Sequence, residues 1–245
     1  SCVTVDKPLT IRGAGRDKTM ILSSAGGCVL QFEGEATESV TLEGLTLQYS
    51  RYGEPSDVVL IRGMKFLVND SHFLGSRTLG NTREDVRGGL RISGGATGEV
   101  RESFFDSNFW GANILVEDES SLVVTDSWFV GAITGTRFGI AAFDVANVDV
   151  VNSYFANLSV GVFAMDQSVV IVESSTAILN IFGVAFVDES SGKVTKNYFV
   201  DNKIAAVSGI DSSVVTISGN IFGQNQYGVD IHHFAEVELW EDNIF

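Results

Sequence analysis

One phrase recurs through this chain and limits what it can become. Two alternating apolar residues are followed three positions on by Ser or Asn, and two positions later by another apolar residue. It reads Leu122, Val124, Ser127, Phe129, then Val148, Val150, Ser153, Phe155, then Val170, Val172, Ser175, Ala177. It continues through Val194, Asn197, Phe199, then Val215, Ile217, Asn220, Phe222, and ends at Asn243, Ile244 and Phe245. Looser copies stand at Val40/Leu42/Leu45/Leu47, Phe66/Val68/Ser71/Phe73 and Val100/Ser103/Phe105. Counted from Phe129, the repeat is 22 to 26 residues long. Repeats of this length build solenoids, because each unit is too small to bury its apolar face alone and stacks on copies of itself. A second phrase precedes the first: Gly139 to Asp144, Gly161 to Asp166, Gly183 to Asp188 and Ala206 to Asp211. Both phrases alternate with period two and are rich in Val, Ile and Phe, and the chain has only two prolines, so both predict short strands.

Three short strands per coil with Ser, Asn and Gly at the corners is the layout of a right-handed parallel β-helix. On these residues the whole chain resembles the pectate-lyase-like superfamily, and Lys7 to Gly15 followed by Lys18 to Ile21 resembles the first coil of such proteins. The resemblance implies an all-β, single-stranded solenoid of about ten coils of 22–26 residues, one domain over 1–245. In its terms the Gly-to-Asp phrase is the first sheet, the Leu122-type pair the second and the Trp128-Phe129-type pair the third. The column Ser71, Ser103, Ser127, Ser153, Ser175, Asn197, Asn220 and Asn243 becomes a polar ladder at the turn between the second and third sheets, where such side chains satisfy backbone groups.

The first and last residues fall inside repeats, so the chain is expected to be a piece of a longer protein or to have its ends covered, since open solenoid ends expose apolar rungs. No apolar run approaches the ~20 residues of a membrane span. Net charge is −15, and it is uneven: residues 1–100 carry 11 Lys/Arg against 12 Asp/Glu, residues 101–245 carry 5 against 19. That excludes nucleic acid as a partner of the acidic part and leaves basic protein surfaces or divalent cations. Cys2 and Cys28, one coil apart, are either a disulfide between adjacent rungs or two buried thiols; a bridge favours an oxidising, extracellular or cell-surface setting.

Length varies most at the third turn, between the third sheet and the next first-sheet strand, and rigid scaffolds place function on such loops. These turns hold Arg51, Tyr52, Glu54, Arg77, Arg83, Glu84, Asp85, Arg87 and Arg137. With Arg91 on the first sheet and Trp128 on the third, Arg77, Arg83, Arg87 and Arg137 are the candidate polymer-binding residues, Arg being suited to carboxylates, sulfates or phosphates. The alternative is that these charges pair with neighbouring Glu54, Glu84 and Asp85. Outward aromatic residues of the third sheet offer either a platform for sugar rings or a self-packing ladder. Alternation places Phe143, Phe163, Met165, Val187 and Ile210 outward on the first sheet, an apolar patch that a protein partner, a missing tail or a dimer mate would cover. The column Asp118, Asp144, Asp166, Asp188 and Asp211, closed by His233, repels itself unless turn amides two residues on are accepted or cations such as Ca2+ bridge it. No clustered ligand spacing supports a metal.

The motifs of the superfamily's enzymes are absent. Asn81-Thr82-Arg83 and Arg91-Ile92-Ser93 are incomplete versions of two polygalacturonase motifs, and no carboxylate pair at the ~6.5–9.5 Å of an inverting glycosidase is identifiable. Asp230, His232 and His233 are the residual acid–base candidates. The expected function is a carbohydrate-binding or polysaccharide-processing β-helix holding a polymer along the first-sheet and third-turn groove, an expectation that rests on fold analogy. The alternative is a non-catalytic structural or assembly scaffold that docks a protein, or a second copy, through the apolar first-sheet face or its open ends.

Overall fold

The computed structural model describes residues 2–24, 26–50, 54–79, 82–106, 108–131 and 137–245. Within them the chain winds into three parallel sheets of ten, ten and nine strands, and every neighbour in a sheet is one coil away in sequence. The repeat sets the register. In the second sheet Leu122, Val148, Val170, Gly192 and Val215 are successive partners. In the first, Ile140, Val162, Val184 and Val207 align. In the third, Phe129, Phe155, Ala177, Phe199 and Phe222 align. Among the described residues the one helical segment is a 3-10 turn at Arg83–Asp85, and no helix is long and apolar enough to cross a membrane.

Because each inward column repeats the same residue type, side chains stack along the axis. Phe73, Phe105, Phe129 and Phe155 form a stacked run with ring centroids 4.8–5.1 Å apart. Ala177 interrupts the run, and Phe199, Phe222 and Phe245 resume it. At Gly192, Phe186 takes the room a side chain would need: a Cβ there would meet its ring at 2.7 Å.

Parallel coils reverse direction at every corner, and buried backbone groups there need partners. At the second turn each ladder residue accepts the amide of its predecessor one coil earlier, from Ser71 N to Ser103 Oγ at 3.2 Å through Ser175 N to Asn197 Oδ1 at 2.8 Å and Asn220 N to Asn243 Oδ1 at 3.0 Å. The Asn side chains also donate to carbonyls a coil away, as Asn197 Nδ2 does to Val172 O at 2.9 Å. A second ladder at the third turn has the same chemistry: Ser76 N donates to Asn108 Oδ1, Leu158 N to Asn180 Oδ1, Asn180 N to Asn202 Oδ1 and Asn202 N to Asn225 Oδ1. Cys2 and Cys28 form a disulfide with Cα atoms 4.8 Å apart, crosslinking the first two coils.

Candidate functional site on the outer face of the first sheet

Outward residues of the first sheet follow the expected alternation, but the middle of the face is not open. The long third turn after His72–Leu74 runs back over the sheet. Its base is fastened to its neighbours: Ser56 and Arg77 exchange both backbone hydrogen bonds at 2.9 Å, and Thr78 N donates to Phe109 O at 3.1 Å. Thr82 and Asp85 cap the 3-10 turn reciprocally. From that turn Arg83 reaches two carboxylates on successive coils, hydrogen-bonding Asp144 and lying 2.7 Å from Asp166, while its guanidinium sits 5.0 Å from the centre of the Phe143 ring. Val86 packs with Ala112, Leu115, Ala141 and Phe143 in a second apolar cluster outside the barrel, joined by Phe138, Phe163 and Met165. Phe143 is 2% exposed, and Phe163, Met165, Val187 and Ile210 are half-buried. The cover sought in a partner or dimer mate is supplied over Phe143 by the chain itself.

The Asp column is also resolved differently from expectation. Its carboxylates accept the amide of the equivalent residue one coil earlier, not one two residues on: Asp118 from Gly94, Asp144 from Asp118 and Asp166 from Asp144. Arg83 supplies the neutralising charge at two of the rungs. Burial alone would raise the Asp144 carboxyl, yet the Arg83 and Asp118 hydrogen bonds and the Arg83 charge hold it below its ordinary value. No group of three or more His, Cys, Asp or Glu side chains arranged to hold a metal occurs among the described residues.

Beside the insertion lies a group that motif spacing did not reveal. Asp57 from the preceding third turn, Arg91 and Glu117 meet on the outer face of the first sheet. Arg91 Nε donates to Glu117 at 2.7 Å, its other arm lies 3.7 Å from Asp57, and Asp57 accepts the Gly88 amide at 2.7 Å. Burial pushes the Asp57 carboxyl above its ordinary value, opposed by the Arg91 charge and the Gly88 amide. The sequence signal was present but weak: Asp57 and Glu117 flank first-sheet strands on either side of Arg91, and only stacking makes them neighbours. Trp110, in the third turn next to the insertion, was also missed. It holds φ +63°, unusual for a bulky residue, and leaves its side chain 53% exposed.

The remaining predicted residues are dispersed. Arg87 turns back onto the Glu84 and Val86 carbonyls, and Arg137 lies 5.6 Å from the Phe138 ring centre. The Arg77 backbone joins the insertion's base as described. Arg51, Tyr52 and Asn81 lie outside the described residues. Trp128 is 41% exposed on the third sheet, away from this group. Asp230, His232 and His233 divide into two pairs at the end of the solenoid: His232 lies 3.0 Å from Asp230, and His233 lies 2.7 Å from Asp211 on the preceding coil. Arg83 and Arg91 thus have their charge already matched by carboxylates, as the alternative to polymer binding required, although the partners are not the loop acids Glu54, Glu84 and Asp85.

Three parallel sheets, polar ladders at the turns and a third-turn insertion folded over the first sheet define the single-stranded parallel β-helix class. The chain belongs to the right-handed β-helix family, whose model, described as a right handed beta helix region, matches residues 88–244. Among solved structures it is similar to pectate lyase Pel9A, with a TM-score of 0.60 and 11% identity over 99% of this chain and 70% of that one. It is also similar to the periplasmic alginate epimerase AlgG, with a TM-score of 0.52 and 11% identity over 98% of this chain and 77% of that one. Likeness at this identity is likeness of fold. No curated protein matches the chain by sequence.

Proposed function

We propose that this β-helix binds a polysaccharide along the groove between its first sheet and the third-turn insertion, with Arg91 at the centre and Trp110 on the wall. The observation that carries the reading is Arg91 held between Glu117 and the buried Asp57, where a guanidinium and two carboxylates converge on the outer face of the first sheet. Convergent polar groups next to an aromatic wall are how concave sites fix the orientation of a sugar. The two similar structures bear the names of a pectate lyase and an alginate epimerase, which supports polysaccharide as the ligand class. The Cys2–Cys28 bridge supports an extracellular or cell-surface setting. The scaffold alternative draws less support from the apolar face, because Arg83 and Val86 cover Phe143, one of the five residues on which it relied.

Affinity electrophoresis through gels containing a panel of neutral and acidic polysaccharides tests the reading. At least one polymer should retard the chain, and Arg91→Ala and Trp110→Ala should each weaken that retardation about tenfold, the loss of one charge-assisted hydrogen bond or one ring contact. Retardation by no polymer, or by none whose retardation either variant weakens, would refute it.

A further inference from the structure

The outer column of the third sheet runs His72, Phe104, Trp128, Tyr154, Thr176, Tyr198 and Ile221, each the register partner of the next. In sequence this strip is either a self-packing aromatic ladder or a platform for a ligand, and the two differ in ring contacts. The ladder belongs to the inward column, where Phe73, Phe105, Phe129 and Phe155 stack. On the outer column, among the described residues, the one ring contact is His72 with Phe104, edge to face at 5.0 Å. Trp128, Tyr154 and Tyr198 make none with each other. Trp128 is 41% and Tyr198 47% exposed, and Tyr154 between them is half-buried.

The margins of the strip give it a charge. Along the second-turn edge stand the exposed Glu102, Asp126, Asn152 and Lys196, the last paired with Glu173 at 2.9 Å, and along the third-turn edge the exposed Asn157, Leu179, Asp201 and Gln224. Apolar rings flanked by carboxylates and amides complement a molecule with flat C–H faces and hydroxyl edges: the rings take the faces, and the acceptors take the hydroxyl protons. The same carboxylates repel a polyanion, and the half of the chain that carries most of the strip holds 5 Lys/Arg against 19 Asp/Glu. Parallel rungs repeat every ~4.8 Å, comparable to the length of one pyranose residue, so rings on successive coils can meet successive sugars.

We infer that the outer face of the third sheet, centred on Trp128, Tyr154 and Tyr198, is a second carbohydrate surface that takes an uncharged polysaccharide lying along the solenoid axis. This goes beyond the first-sheet reading and does not depend on it.

The test is native affinity electrophoresis through galactomannan, xyloglucan and mixed-linkage β-glucan, with polygalacturonate and heparin alongside, at low and high salt. At least one neutral polymer should retard the chain independently of salt. The double variant Trp128→Ala/Tyr198→Ala should weaken that binding at least tenfold, Trp128→Phe should retain it, and Val123→Ser, at an exposed position on the second sheet, should leave it unchanged. If the double variant does not fold, Tyr198→Ser alone, on a half-exposed side chain, should still reduce the retardation. The inference is overturned if no neutral polymer binds, if only the anionic polymers bind in a salt-sensitive way, or if neutral binding responds to Arg91→Ala and Trp110→Ala but not to the strip variants. It is also overturned if sedimentation shows self-association that Trp128→Ser abolishes, which would make the strip a contact between copies. Loss of binding on the Arg91 variant alone sinks this inference and leaves the first-sheet reading standing; the reverse pattern does the opposite.

Discussion

Asp57 and Asp144 are carboxylates of one molecule pushed in opposite directions. Burial raises Asp57 despite Arg91, whereas the Arg83 and Asp118 hydrogen bonds outweigh burial at Asp144 and lower it. The linkage signs follow. With Asp57 raised, the folded chain binds the proton more tightly than the unfolded chain, so stability falls as pH rises from the ordinary carboxylate range through the raised value. With Asp144 lowered, its contribution is present above the ordinary value and is lost as pH falls through the lowered one. Urea-unfolding midpoints measured from about pH 3 to 8 should therefore lose their alkaline-side decline in Asp57→Asn, whose amide oxygen still accepts Gly88 N–H, and keep their acid limb. An unaltered profile would show that Asp57 does not set the decline. Arg83 and Arg91 could be picked out from the sequence by their residue type and the variable length of their loops. Their partners could not: Asp144 lies 61 residues from Arg83, and only coil stacking brings them together.

Turns, more than strands, decide this fold. The strands repeat from the alternation, but the corners require each buried amide to find an acceptor a coil away. Asn197 accepts from Ser175 N and donates to the Val172 carbonyl and to Asn220 Oδ1. Asn197→Ala should cost about 2–3 kcal/mol in denaturant unfolding, because it leaves a buried donor and an acceptor unmade; a loss under half of that would mean water replaces the side chain. The second-turn ladder was legible because Ser or Asn recurs at a fixed place in the phrase. The third-turn ladder carried an equally regular signal, since Leu158, Asn180, Asn202 and Asn225 each follow the inward third-sheet residue by three positions. That signal is masked by the length and charge of the third turns, which vary from coil to coil while this one position does not. The insertion between Leu74 and Gly88 was recognised as the place where function concentrates, but its direction across the first sheet was not, because no local pattern encodes how an irregular loop lies on a distant surface.

As a whole, the molecule is a stack in which each strand pairs only with strands of the adjacent coils, the third-turn insertion apart, so stability is largely local and the ends are the weak points. The disulfide joins the first coil to the second across 26 residues. Closing a loop of that size is worth about 3–4 kcal/mol in the chain-entropy account. In Cys2→Ser/Cys28→Ser, hydrogen exchange should therefore accelerate in the strands Val3–Val5 and Leu9–Arg12 and hardly change beyond Lys65. Uniform acceleration along the chain would show instead that the solenoid unfolds as a single unit.

The sequence by itself determined the coil, because a period of 22–26 residues with period-two strands and polar corners has one way to bury its apolar columns, by stacking in register. It also set which residues face inward, since a shift of one position would turn every column inside out. Tertiary structure alone decided the site. Whether Arg91 meets Asp57 and Glu117, whether Phe143 is open or covered, and which aromatic column is left to solvent all depend on contacts between residues a coil or more apart, and those distances exist only after the coils have stacked.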